Sequence, residues 1–430
     1  SEMCIRDRYM VPDPERAKCI VLWAHNPSGS DPLTALKVSK SLKAGAKLIV
    51  VDCRRTSWAE KAHLHLQPRP GSDIYVALAM INVVVEEGLY DREFVENWTT
   101  GFKELARHAS KYTPELAAEK ADVPADLIRE AARLYASTRP ACIVQGITAL
   151  DHSPSGFQVS RAIAVLQALI GCLDVEGGFT RPPGLKLRPL RLEEGGVGPP
   201  LGHDRYLLYR GLGGHRPGFA HALTVLEAAR TGSPYPIKAM IVAGGNPLVT
   251  MPDPGRVEES LKSLDLLVVA DLLMTETAQL AHVVLPVCSF LERPGLCTNY
   301  RVMHGEPYIA YRQRCAEPVG DSRPDWWIWC ELAKRMGLGH LFPWRSLEEA
   351  AAWILEPSGL SLDALSAKNP WGVFYAQRFR PREYEAFKGF PTPSRKVELY
   401  SEQLAKEGVE PLPTPVDVEE LQPSRDYPLL

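Results

Sequence analysis

A strand–helix–strand pattern occurs twice in this sequence, in register, and that duplication limits the fold more than any other feature. The first copy opens with the apolar run Cys19 to Trp23, crosses the turn-rich HNPSGSDP and resumes in KLIVVD, which ends at Asp52. Between the two runs Ser30 or Asp31 can cap a helix and Pro32 suits its first position. Leu33, Leu36 and the stretch from Val38 to Leu42 give it an apolar side, and Gly45 stops it. About 220 residues downstream the plan returns as MIVAGGNP, RVEESLKSL and LLVVAD, ending at Asp271. Counted from each aspartate, Thr56, Ala59, Ala62, His63 and Leu66 match Thr275, Ala278, Ala281, His282 and Leu285 at offsets +4, +7, +10, +11 and +14. Agreement at that many positions, with an Asn-Pro turn upstream in each copy, marks an internal duplication. A βαβ crossover builds a parallel sheet and opens a ligand crevice at the carboxyl ends of its strands. The expected fold is α/β, with two pseudo-repeated Rossmann-like parallel-sheet domains, each carrying a binding edge.

The residues at those edges suit a nucleotide. An Asn-Pro turn after a strand (Asn26, and Asn246 with Pro247) offers backbone N–H groups and an amide to an anion. Asp52 and Asp271, closing the next strand, can accept from ribose hydroxyls or a purine N–H edge. Neither copy carries G-x-G-x-x-G, so ordinary NAD or FAD use is not indicated. A tight turn, RPGSD, places Gly71, Ser72 and Asp73 just before the apolar run IYVALAMINVVV. Its simplest reading is a helix N-cap, and a ligand turn is the other.

Elsewhere the chain supplies a helical stretch (PELAAEKADVPADLIREAARLYAS), a strand (ACIVQG) and an apolar helix (VSRAIAVLQALIGCL) before a Gly- and Pro-crowded excursion from Gly177 to Gly218. The expected organisation is a frayed, non-native start over 1–18, a first Rossmann-like domain over 19–180, the excursion over 181–233 and a second Rossmann-like domain over 234–335. A helical return segment over 336–405 and an acidic, Pro-rich linker over 406–430 complete it. Lys+Arg 49 against Asp+Glu 52 gives a net charge of -3, which lacks the basic footprint that nucleic acid requires. No apolar run reaches the roughly 18 residues of a membrane span. Nine cysteines without a C-x-x-C pair read as reduced core thiols, and no metal site is expected in this chain.

Six blocks, in order, resemble the dimethyl sulfoxide reductase superfamily of molybdopterin oxidoreductases. They are VLWAHNPSGSDP, VVDCRRTSWAEKAHLHLQPRPGSD, EEGLYDREFVENWTTGF, GGNPLVTMPD, DLLMTETAQLAHVVLP and TPSRKVELYSE, spanning most of Cys19 to Glu402. The resemblance implies a catalytic subunit that binds two molybdopterin guanine dinucleotides with molybdenum or tungsten, one per α/β repeat. By matching position, Asn26, Asp52, Arg54, Gly71, Ser72 and Asp73 would serve one dinucleotide. Gly245, Asn246, Pro247, Asp271 and Thr275 would serve the other. The chain departs from the family where Cys53 stands for proline, His63 and His282 for aspartate, and Arg395 for glycine.

The same resemblance places a [4Fe–4S] segment and the metal-ligating residue upstream of the Asn26 block, and a further pterin-binding domain after residue 430. The chain is therefore expected to be an internal piece, inactive alone, with any export signal preceding it and its compartment left open. Expected partners are a small-molecule substrate and an iron–sulfur electron-transfer subunit. His152 with Asp151 is a weak candidate proton donor. His203, Asp204, Arg205 and His215 are candidates for a substrate funnel, and Thr298 and Asn299 for support near the cofactor. Within the family, GSPYPIKAMIVAGGNP leans toward polysulfide, thiosulfate or acetylene-hydratase-like branches rather than formate dehydrogenases or periplasmic nitrate reductases. The alternatives are a non-redox hydratase or hydroxytransferase on the same cofactor, a cofactor-free structural subunit of a respiratory complex, and an unrelated nucleotide-binding protein.

Overall fold

The computed structural model describes residues 10–146, 149–150, 152–180, 185–190, 198–206, 209, 219–297, 308–366, 372–374 and 381–416. By internal contact the chain divides into two units, residues 1–183 with 301–306 and 377–430, and residues 184–300 with 307–376.

The first unit is built on four parallel strands, β1 (Cys19–Trp23), β2 (Lys47–Val51), β3 (Leu64–Leu66) and β4 (Ala141–Gln145), in the order β3-β2-β1-β4. Every residue of β1 is buried, the continuous apolar reading demanded of a parallel strand covered on both faces. The turn after β1 forms a single helical turn, α1 (Pro27–Ser30), followed by α2 (Pro32–Lys43), whose cap Asp31 accepts from the Thr34 N–H at 3.2 Å. α3 (Asp73–Glu86) is apolar almost all round and is correspondingly buried along its length. The expected helical stretch from Pro114 is two helices, α4 (Pro114–Ala121) and α5 (Ala125–Ser137). Asp122 turns left-handed at φ 62° and closes α4 onto the Ala118 carbonyl, and Pro124 stands before α5. α6 (Gly156–Leu169) forms as expected.

Residues 381–416 belong to this unit. Tyr384 packs edge-on against Phe94 and Trp98, with centroids 5.9 and 4.9 Å apart. Residues 406–416, expected as a linker, are held down: Arg161 donates to the carbonyls of Glu410 (3.0 Å) and Pro411 (2.6 Å), and Leu412 is buried. A proline-rich segment has few N–H groups to spend on its own structure, yet its carbonyls remain free to accept. The expected return segment 336–405 thus divides between the two units.

The second unit repeats the plan with three parallel strands, β5 (Ala239–Ala243), β6 (Leu266–Asp271) and β7 (Val283–Pro286), in the order β7-β6-β5. α7 (Ala222–Thr231), which occupies the end of the expected excursion, and α9 (Pro254–Lys262) cover one face; between β5 and α9 lies the single turn α8 (Pro247–Thr250). Leu226, Val257 and Leu261 pack there with Leu267 and Val269. The other face is open: Ile241, Leu266 and Val283 are 48%, 42% and 43% exposed. Among the described residues β5 has a strand on one side only, where β1 has one on each. α10 (Glu276–Gln279) lies between β6 and β7. A separate antiparallel group, β8 (Gly295–Cys297), β9 (Tyr308–Arg312) and β10 (Val373–Phe374), packs Ile309 against Ala351 and Leu355 of α11 (Leu347–Leu355). No helix among the described residues is long and apolar enough to cross a membrane.

Candidate functional site

In both units the predicted residues collect at the carboxyl ends of the parallel strands, and the backbone bonds that shape the edge are duplicated. The Ala24 N–H donates to Val51 O at 2.7 Å, and the Gly244 N–H to Ala270 O at 2.9 Å. Each swings the chain out of its strand into the Asn-Pro turn with positive φ, 48° at Ala24 and 60° at Gly244. Thr56 Oγ1 accepts from the Ala59 N–H and Thr275 Oγ1 from the Ala278 N–H, both at 3.2 Å. The matched histidines also do the same work: the Leu48 N–H donates to His63 Nδ1 (3.1 Å) and the Leu267 N–H to His282 Nδ1 (2.9 Å). His63 and His282 each donate their own N–H back to the same leucine, at 2.8 and 2.9 Å. These bonds pin the start of the second strand, so an imidazole does here what an acceptor carboxylate could do, without the charge.

In the first unit Asp52 is buried, and its Oδ1 accepts from the Arg54 N–H at 2.8 Å, leaving Oδ2 for another donor. The Arg54 guanidinium is exposed, 4.0 Å from that carboxylate. Gly71 has φ 83°, and a Cβ there would lie 3.8 Å from Ser153 Oγ, so the RPGSD turn and the turn before α6 are neighbours. Ser72 occupies the N-cap position of α3, but its hydroxyl turns back to Arg69 O (2.6 Å) and caps nothing. The N-terminus of that 14-residue helix is left without a side-chain cap. Asp73 accepts from the Trp23 indole N–H at 2.9 Å. Desolvation nevertheless holds its carboxyl above the ordinary aspartate value, with the Trp23 bond opposing.

Two further residues of this edge escaped sequence reading. His25 Nε2 and Asn26 Oδ1 are buried without partners, and burial pushes the His25 imidazole below its ordinary value. Gly146 follows β4, and a Cβ there would meet Ala24 O at 1.8 Å, so only glycine lets the two strand ends close up. An isolated His or Gly in a turn carries no sequence signal of this kind. His152 is exposed in the turn before α6, and its partner Asp151 lies outside the described residues.

In the second unit Asp271 Oδ1 accepts from the Leu272 and Leu273 N–H groups at 2.6 and 3.3 Å. Pro247 is the first residue of α8, and a Cβ on Gly245 would make ordinary contact with Val242 Cγ1 at 3.8 Å. Thr275 is the N-cap of α10, a structural use of its hydroxyl. Both ends of the Asn246 amide are engaged: Nδ2 donates to Glu276 at 2.8 Å, and Oδ1 accepts from the Thr277 N–H and hydroxyl at 3.2 and 2.7 Å. His203, Asp204 and Arg205 lie in this unit, whereas His215, Thr298 and Asn299 fall outside the described residues. Among the described residues no group of three or more His, Cys, Asp or Glu side chains forms a metal cluster.

The edge of the first unit offers groups suited to an anionic, hydrogen-bonding ligand of the molybdopterin kind. It joins an uncapped helix N-terminus for an anion, an exposed guanidinium, a half-used carboxylate and two unmet buried polar atoms.

Comparison with known proteins shows the family and the fold. The molybdopterin oxidoreductase family model matches residues 8–335. The chain is 32% identical to the acetylene hydratase of Syntrophotalea acetylenica over 96% of its length and 60% of that protein. It is 31% identical to the thiosulfate reductase molybdopterin-containing subunit PhsA of Salmonella typhimurium, over 91% of the chain and 56% of that subunit. An F420-dependent formate dehydrogenase subunit alpha of Methanocaldococcus jannaschii shares 34% over 79% of the chain and 50% of that subunit. The solved acetylene hydratase from Pelobacter acetylenicus superposes with a TM-score of 0.84 at 31% identity, covering 96% of this chain and 59% of that one. The chain spans half to three fifths of the length of these relatives. With matched strands, matched turns and a family model over three quarters of its length, the chain belongs to the molybdopterin oxidoreductase family.

Proposed function

We propose that this chain is the part of a molybdenum or tungsten oxidoreductase that holds two molybdopterin guanine dinucleotides, one on each parallel-sheet edge. The observation that carries the reading is the duplicated set of bonds shaping both strand-end turns. In the first unit Arg54 and the uncapped end of α3, with Gly71 and Ser72, receive phosphate, while the free oxygen of Asp52 receives a nucleoside donor. Asn26 and Asp73 complete that edge. In the second, Gly245, Asn246, Pro247, Asp271 and Thr275 form the corresponding turn and strand end. When bound, the metal–pterin group supplies two-electron or atom-transfer chemistry, and the protein supplies grip and orientation. The [4Fe–4S] cluster and metal ligand belong, on this reading, to parts of the enzyme outside these residues, and electrons pass to an iron–sulfur partner subunit. Several relatives are themselves named as subunits.

A second reading, a non-redox hydratase on the same cofactor, is favoured by the acetylene hydratase likeness across 96% of the chain. The formate dehydrogenase identity is as high, so identity alone does not choose the substrate branch.

Calorimetric titration of the chain with GDP tests the dinucleotide reading. Saturable binding, weakened by Arg54→Ala and not reproduced by NAD, is expected. Absence of GDP binding, or tighter binding of NAD, overturns it.

A further inference from the structure

The two Asn-Pro turns share a backbone and differ in what becomes of the asparagine. In the second unit Thr277 is fully buried and ties the turn shut: its hydroxyl donates to Asn246 Oδ1 at 2.7 Å and accepts from the Leu248 N–H at 3.1 Å. With the Asn246 Nδ2 bond to Glu276, this closes a network joining α8 to α10 that leaves the amide oxygen doubly satisfied. At the offset of Thr277 the first unit has Trp58, whose indole N–H goes instead to Ser28 Oγ at 2.9 Å. The turn is still anchored, but the anchor bypasses Asn26, and Asn26 Oδ1 stays buried without a partner. Beside it His25 Nε2 is in the same condition, and the second copy has Gly245 at that position.

A buried amide oxygen without a partner is costly and can be relieved only by a donor. A phosphate oxygen cannot serve it; an O–H or ring N–H can. A hydroxyl suits both orphans, donating to Asn26 Oδ1 and accepting from a protonated Nε2 of neutral His25.

We propose that the duplicated turns divide the work: Asn26 and His25 bind a hydroxyl or N–H edge of the nucleoside or pterin part of the ligand, while Asn246 holds the fold and touches no ligand with its side chain. The proposal rests on the dinucleotide reading and revises its use of Asn246.

The test compares Asn26→Ala, His25→Gly and Asn246→Ala in the whole chain, by titration with GDP and with inorganic pyrophosphate and by hydrogen exchange. Asn26→Ala and His25→Gly are each expected to weaken GDP binding roughly tenfold, about the worth of one hydrogen bond to a buried group. Pyrophosphate binding and melting temperature should stay unchanged. Asn246→Ala should do the reverse, speeding exchange over Pro247–Thr250 and Glu276–Gln279 while GDP affinity in both units holds. Should that variant fail to fold, the double variant Asn246→Asp with Glu276→Gln, which keeps an acceptor for Thr277 and exchanges amide and carboxylate across the Asn246–Glu276 bond at unchanged net charge, is expected to fold and to retain GDP affinity. If the unaltered chain binds GDP and Asn26→Ala binds it equally well, or if the charge-neutral double variant loses affinity without loss of stability, the proposal is overturned and the dinucleotide reading stands. If the unaltered chain binds no GDP, both fall.

Discussion

Single residues at the strand ends carry opposed demands, and two of them yield direct predictions. Asp73 is held above the ordinary aspartate value because desolvation outweighs the Trp23 bond. Its folded value therefore exceeds its unfolded one. As pH rises from the ordinary aspartate value, the unfolded chain ionises first, and the contribution of Asp73 to stability is lost between the two values. Asp73→Asn keeps an oxygen for the indole and has no charge to bury, so the decline should flatten. Urea unfolding across a pH series reads this; an unchanged slope would show that the carboxyl is not what titrates. His63 and His282 make a different point. Each offers Nδ1 to a strand N–H, so His63→Ala should cost about 1–2 kcal/mol and His63→Asp, which restores an acceptor, most of that less. Equal losses in both variants would mean that packing, not the hydrogen bond, holds the site.

At the scale of elements, the turns depend on close approach and on clamps reaching in from outside the turn. Gly146 must lack a Cβ, because one would sit 1.8 Å from Ala24 O. Gly146→Ala is expected to cost about 3 kcal/mol or more and to shift the His25–Asn26 turn, as overpacking against backbone does. Thermal unfolding measures the cost, and a loss below about 1 kcal/mol would show that β4 and the turn can separate freely. In the second unit Thr277→Val removes the hydroxyl that serves both Asn246 and Leu248. A loss of about 1–2 kcal/mol is expected, because the Leu248 N–H is left unmet while Asn246 Oδ1 keeps only the backbone N–H of residue 277. The elements themselves were largely legible from sequence. β1, β2, β5 and β6 are short apolar runs bounded by turns, and Asp31 with Pro32 signals α2. The break at Asp122 was not legible, because helical periodicity runs through it and only a left-handed residue ends α4.

Across the molecule, the two units reach unequal completeness around the same plan. β1 lies between two strands and is wholly buried, whereas β5 is flanked on one side among the described residues and its sheet shows Ile241, Leu266 and Val283 to solvent. Ile241→Lys should therefore leave the melting temperature of this chain within about a degree and reduce binding of a hydrophobic dye, since an exposed position contributes little to folding. Val269→Lys, on the covered face, should unfold the unit. A large loss from Ile241→Lys would show that this face is covered in solution. The sequence by itself determined the duplication, the α/β class, the parallel strands and the paired strand-end turns, because these follow from hydrophobic runs, turn residues and local spacing. Only the tertiary structure decided which asparagine keeps a free oxygen and which face stays open. The first turns on Trp58 or Thr277 folding over a turn some thirty residues earlier, and the second on which face the helices of Leu226 and Val257 pack against, contacts that no local pattern encodes.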